Sequence, residues 1–230
     1  MELLQLQTEV LEANLEIVRR GLVLFTFGNA SGIDRKTGLV AIKPSGVPYD
    51  QMAPADMVVC NLDGKIIEGR MKPSSDLETH LELYRAFPAI GGVVHTHSEF
   101  ATAWAQAGRS IPAFGTTHAD YFHGPVPATA ELSDTEIQGE YELNTGKAIV
   151  RRFNSLDPMA TPAVLVAGHA PFTWGKTPME AAHNAAILEY VARMAFTTTV
   201  LRPESTGVSQ ALMDRHYFRK HGAGATYGQK

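Results

Sequence analysis

A mixed or antiparallel β-sheet with helices on both faces is the architecture this sequence predicts, and three observations point to it. Apolar runs of strand length alternate with amphipathic stretches of helix length. Two of the short runs are joined through Asp63-Gly64, a strong signal for an antiparallel hairpin. A length of 230 residues with 44% hydrophobic content is enough to bury one substantial core, and no composition shift divides the chain, so one domain spanning residues 1–230 is expected.

The elements follow in order. Leu3, Leu6, Val10, Ala13 and Ile17, beside a second stripe of Leu4, Leu11, Leu15, Val18 and Leu22, predict a long helix with a wide apolar face that stops at Gly21. Short strands are expected at residues 39–43, 57–60 and 65–68. Pro73-Ser74-Ser75-Asp76 opens a helix in which Ser75 and Glu78 fit a capping box; Leu77, Leu81 and Tyr84 form its apolar face, and it ends before Pro88. A strand from Gly91 runs to His97, and Ser98 can cap a helix through Phe100, Ala103, Trp104 and Ala107. A second apolar run, residues 163–168, is followed by His169. Thr177, Pro178 and Glu180 start a helix reaching about Ala195, and a last helix covers residues 209–220, leaving 223–230 as a tail.

Composition narrows the functional classes. A net charge of −4 supplies no basic surface for nucleic acid. The single cysteine, Cys60, lies in an apolar run and has no internal partner, which favours a reducing compartment. No charged-then-apolar leader opens the sequence and no apolar stretch approaches the roughly 18 residues that a bilayer span needs, so a cytoplasmic protein is expected.

The chemistry lies in the histidines. Side chains two apart on a strand share a face about 6.5 to 7 Å apart, so His95 and His97 can converge on one ion, with His169 as a third donor. Three imidazoles and an open fourth position suit a catalytic zinc or a similar divalent ion. The remaining histidines, among them His80, His118, His123, His183 and His221, lack a second donor at a strand position and are read as non-ligands. Three small-residue segments could cradle an anion: residues 28–32, 44–46 with Lys43 beside them, and Ser74-Ser75 at a helix start. Read singly, each is also what a plain turn or cap looks like. Asp76 suits the first turn of its helix through the dipole, and near a metal it could also be a ligand or base. Asp120 lies in a polar loop, His216 on a helix, and Tyr227 in a glycine-flanked tail, where an aromatic suggests docking.

Several strings carry a resemblance in order and spacing across essentially the whole chain. They are Gly28-Asn29-Ala30-Ser31-Gly32-Ile33-Asp34-Arg35, Lys72-Pro73-Ser74-Ser75-Asp76, His95-Thr96-His97-Ser98, Gly115-Thr116-Thr117-His118-Ala119-Asp120, His169-Ala170-Pro171-Phe172-Thr173-Trp174-Gly175, and His216 to Gly222 with Tyr227-Gly228-Gln229. Together they closely resemble the class II aldolase/adducin family, and within it the sugar-phosphate epimerases. The resemblance implies a three-layer α/β/α sandwich around a mixed, mainly antiparallel sheet, assembled as a homotetramer with active sites between neighbouring subunits. It implies zinc, or manganese or cobalt in its place, on His95, His97 and His169, with Asp76 beside the metal where aldolase relatives carry glutamate. By position, Asn29, Lys43, Ser45, Gly46, Ser74 and Ser75 would hold a phosphate. Asp120 and Tyr227 would be the paired acid/base groups and His216 would support Asp120, with His216 and Tyr227 coming from the adjacent subunit. The implied reaction interconverts L-ribulose 5-phosphate and D-xylulose 5-phosphate by metal-assisted cleavage and re-addition. The alternatives within the family are an aldolase that releases the aldehyde and a non-catalytic module like the adducin head. One departure stands out: Ala170 follows the third histidine where the family usually has glycine, and if that position needs positive φ, alanine is strained by about 1 kcal/mol or more.

Overall fold

The structure, a computed structural model, describes residues 2–222 and 224–228. Met1, Ala223, Gln229 and Lys230 lie outside the described residues, so part of the expected tail is not covered. The sheet is formed by β1 (Asn29–Asp34), β2 (Leu39–Ile42), β3 (Val58–Cys60), β4 (Ile66–Glu68), β5 (Gly92–His95), β6 (Ala163–Leu165) and β7 (Pro171–Gly175). Their order is β4-β3-β2-β1-β5-β7-β6, and each neighbouring pair is antiparallel. Among the described residues, the parallel component of the expected mixed sheet is reduced to an isolated bridge between Ala128 and Leu165.

Strand alternation sends side chains to two cores, which makes the architecture three-layered. Val40, Ile42, Val58, Cys60 and Val93 face α2 (Leu77–Ala86) and α6 (Tyr141–Arg152), packing with Leu81, Tyr84, Ile149 and Trp174. Their sequence neighbours Ala41, Val59 and Val94 face the other way, towards α1 (Leu3–Arg19) and α7 (Pro178–Leu201). On that side α3 (Glu99–Gln106) also packs on α7, through Trp104 and Leu188. The start of α7 lies so close to the sheet that a Cβ at Gly92 would run into the backbone of Pro178. Cys60 is buried, and burial pushes its thiol up to about 11, which leaves it an inert core residue. No described helix is long and apolar enough to cross a membrane.

Several local expectations are corrected. Residues 29–34 form the buried strand β1 rather than a turn. The helix at 77–86 has Asp76 as its N-cap with no side-chain cap bond, so the Ser75/Glu78 capping box does not form; the Asp76 carboxylate accepts from Asn29 instead. Ser98 likewise makes no cap bond; Glu189 of α7 accepts the amides of Phe100 and Ala101 at 2.8 and 2.9 Å. The α7 helix runs on to Leu201, and in its last turns Thr197 and Thr199 donate back to the carbonyls of Arg193 and Ala195. Three helices were not expected, α4 (Thr116–Ala119), α5 (Asp134–Gln138) and α6. Thr177 caps α7 through the amide of Glu180, and Ser209 caps α8 (Gln210–Lys220) through that of Leu212.

Candidate metal and phosphate site

Sheet register brings the pocket together at one end of the sheet. Asn29 at the start of β1 pairs with His95 at the end of β5, and His95 pairs with Phe172 of β7. Gly28 turns the chain into β1 with a φ of +74°, in a place where a Cβ would sit 2.9 Å from the carbonyl oxygen of His95. His95 alone lies on its strand. His97 follows in the irregular segment before α3, and His169 lies in the turn beyond β6 rather than at its end. Their rings nevertheless meet, with donor atoms within 4.8 Å of one another.

The donors fit a divalent ion. His95 Nδ1 donates to the carbonyl of Pro171 at 2.9 Å, which leaves the Nε2 lone pair facing the cluster. The ring is stacked on Phe172 at 4.2 Å, so its direction is fixed. Nε2 of His95 lies 3.2 Å from Nε2 of His97, and two nitrogens held by one tetrahedral ion at about 2.0–2.1 Å lie roughly 3.3–3.4 Å apart. His169 places Nδ1 3.4 Å from the hydroxyl of Tyr141. Burial, the main cause, lowers the proton affinity of all three rings, taking His95 to about 3, which keeps lone pairs available. Asp76 falls outside the three-donor cluster. It accepts from Asn29 Nδ2 at 2.6 Å; burial pushes its pKa up, but His95, His80, the Asn29 hydrogen bond and His169 hold it below the usual carboxylate range.

A cavity of about 490 Å³ opens from the imidazoles, and all six residues expected to hold phosphate line it: Asn29, Lys43, Ser45, Gly46, Ser74 and Ser75. The second and third small-residue segments run side by side, with Ser45 N–H donating to Lys72 O and Ser74 N–H to Lys43 O, both at 2.9 Å. Lys43 is 2% exposed and its Nζ meets two backbone carbonyls and the face of Tyr49, with no carboxylate paired to it among the described residues. Burial lowers its pKa to about 8, a cost that an anionic ligand would offset. Asn29 keeps a buried Oδ1 without a partner.

The wall also holds residues that the sequence reading passed over. Phe27 lies 6.3 Å from the His97 ring, and beside it Phe25 is 86% exposed at a φ of +52°. Tyr141 and Glu142 enter from the first turn of α6. The nearest sequence signal is the Ser133 to Glu136 capping box, which forms but opens α5, one helix before these residues. Ala170 has no positive φ; Gly168 takes that conformation at +70°, so the anticipated strain is absent.

Asp120, His216 and Tyr227 do not line this cavity. They form a second cluster, where Asp120 at the end of α4 meets α8. His216 Nδ1 lies 3.0 Å from Asp120 Oδ1 within one chain, so this pair needs no neighbouring subunit. Tyr227 is 66% exposed in the tail. Burial raises the pKa of Asp120, but hydrogen bonds from Arg219, His216 and Lys220 outweigh it and hold the carboxyl below the usual range. His80 and His118 are core residues: His80 meets Ser31 Oγ, and His118 Nε2 donates to the carbonyl of Gly124.

Comparison with known proteins places this geometry. The Class II Aldolase and Adducin N-terminal domain family matches residues 8–196. L-ribulose-5-phosphate 4-epimerase UlaF of Salmonella paratyphi B is 55% identical over 226 residues, covering 98% of this chain and 99% of the relative. Among solved structures, an L-fuculose 1-phosphate aldolase shares the fold with a TM-score of 0.78 at 24% identity, covering 92% of this chain and 94% of that one. The L-fuculose-1-phosphate aldolase of Thermus thermophilus gives a TM-score of 0.65 at 24% identity, covering 88% and 98%.

Proposed function

Because the chain belongs to the class II aldolase and adducin family, we propose that it epimerises L-ribulose 5-phosphate to D-xylulose 5-phosphate at C4. The observation that carries this reading is the juxtaposition of three convergent imidazoles with a buried lysine set among backbone carbonyls in one cavity, in a chain 55% identical to an epimerase of that substrate.

Inverting an alcohol carbon with no adjacent carbonyl needs the neighbouring C–C bond to break, because simple deprotonation leaves the electrons without a sink. A divalent ion held by His95, His97 and His169, zinc or else manganese or cobalt, supplies Lewis-acid stabilisation worth several kcal/mol for the charge released when C3–C4 cleaves. Asp76, beside these donors and tied to Asn29, shapes the wall of the pocket where the sugar lies. Lys43, Asn29, Ser45, Gly46, Ser74 and Ser75 hold the phosphate, so the two-carbon aldehyde fragment stays captive while it presents its other face. Asp120 takes the proton of the C4 hydroxyl on one side and Tyr227 returns one on the other, the roles exchanging in the reverse direction, while His216 orients Asp120. Since these groups lie outside the cavity wall of their own chain, the site is completed by a neighbouring subunit of a homotetramer, and residues 1–230 act as one domain.

The test is a coupled assay of the pure protein on L-ribulose 5-phosphate. D-xylulose 5-phosphate is expected, with activity lost to chelation and restored by zinc. Net accumulation of glycolaldehyde phosphate would make it an aldolase, and absence of both products would favour a binding module. Borohydride with substrate should leave the enzyme active; inactivation would mean that Lys43 forms a Schiff base.

A further inference from the structure

Arg219 joins the two groups assigned above to proton transfer. Its Nη2 donates to both Asp120 oxygens at 3.0 Å, and its Nε donates to Oδ1 at 3.2 Å. The same residue holds the tail: its carbonyl accepts the N–H groups of Thr226 at 2.9 Å and Tyr227 at 3.0 Å. The Tyr227 ring lies over the guanidinium, 5.6 Å from centroid to carbon. From these contacts we propose that Arg219 is a positioning residue of the epimerisation, holding Asp120 as an oriented carboxylate and fixing the reach of Tyr227 in the same stroke.

The other groups around Asp120 do less. Lys220 reaches only Oδ2, at 3.3 Å, as a point charge between the rings of Tyr121 and Tyr227. His216 meets only Oδ1, and His221 Nε2 donates to the Asp120 main-chain carbonyl at 2.9 Å rather than to the carboxylate. A guanidinium is planar and permanently charged, so it sets the plane of the carboxylate as well as neutralising it. With that plane fixed, the lone pair offered to a substrate hydroxyl has one direction. Because the tail hangs on the same residue's carbonyl, a shift of Arg219 displaces both proton-transfer groups together.

This inference rests on the acid/base assignment of Asp120 and Tyr227, and the experiment separates the two. Full-length Arg219→Met, Arg219→Lys, Asp120→Asn and the Arg219→Met/Asp120→Asn double variant are assayed across pH, with metal content and melting temperature recorded for each. Arg219→Met should lower kcat about 10- to 100-fold with little change in KM. It should also move the acidic limb of the kcat profile upward by about one pH unit, since an opposite charge is what holds a carboxyl low. The substrate's own titration is common to all variants. Arg219→Lys should recover part of the rate, and the double variant should be slower than Asp120→Asn by clearly less than the full Arg219→Met factor, because much of what Arg219 does passes through Asp120. An unmoved limb, or losses that simply multiply, overturns the proposal. If Arg219→Met melts early, the limb of the neutral but hydrogen-bonding Arg219→Gln decides instead: displaced upward it supports the proposal, unmoved it overturns it. Asp120→Asn as fast as the native enzyme would instead overturn the acid/base assignment, and this inference with it.

Discussion

The imidazole and phosphate pocket and the Asp120 cluster are built in contrasting ways. In the pocket, burial lowers the proton affinity of three imidazoles and of Lys43, whose Nζ meets backbone carbonyls. In the Asp120 cluster, one carboxylate is surrounded by Arg219, Lys220 and His216, all within 3.3 Å of its oxygens. The pocket is held by sheet register and by α2; the cluster depends on a four-residue helix, α8 and an exposed tail. On the proposed reading, the difference assigns binding energy and proton transfer to different parts of the fold: a desolvated, preorganised cavity for the ions, and a peripheral carboxylate for the protons.

Substitutions can break or sharpen that contrast. The largest effect is expected for His95→Ala, which should lower turnover on the order of 10³-fold or more and remove bound metal, measured by elemental analysis. Asp120→Asn should cost roughly 10²- to 10⁴-fold in kcat while metal content stays near native; metal lost together with activity would mean that the two regions are one. Lys43→Met should raise KM for the sugar phosphate about 10- to 100-fold with a smaller effect on kcat, the loss expected when a charged hydrogen bond to the ligand is removed. In the native protein Lys43 is protonated below about 8, so anion affinity should decline as pH rises through that value. Titration calorimetry with inorganic phosphate should show this decline, and Lys43→Met should abolish it. The smallest effect is reserved for Ala170→Gly. Since Ala170 has no positive φ, added backbone freedom should destabilise by about 0.5–1 kcal/mol in denaturant melts, whereas a gain in stability would reveal hidden strain.

Much of the fold is legible in the chain. The apolar periodicity of residues 3–22, the Asp63-Gly64 hairpin and the Thr177-Pro178-Glu180 start each depend on neighbours within a turn or two, and each forms. Legibility fails where a distant partner supplies what the local pattern offers. Ser98 looks like a cap but Glu189 does the capping, and Asp76 turns to Asn29 instead of its own helix. Strand β1 was hidden because Asn29-Ala30-Ser31-Gly32 carries turn-like residues whose burial comes only from pairing with β2 and β5.

The sequence by itself determined the donor inventory: which residues are imidazoles and which segments are small enough to admit an anion. Only the tertiary structure decided their company. It drew Tyr141 and Glu142 into the cavity wall, set Lys43 among backbone carbonyls, and put Arg219 between Asp120 and the tail. The physical reason is that a side chain's type and local period are written in sequence. Its desolvation and counter-charges depend on segments up to a hundred or so residues away, which meet only when sheet register and helix packing close.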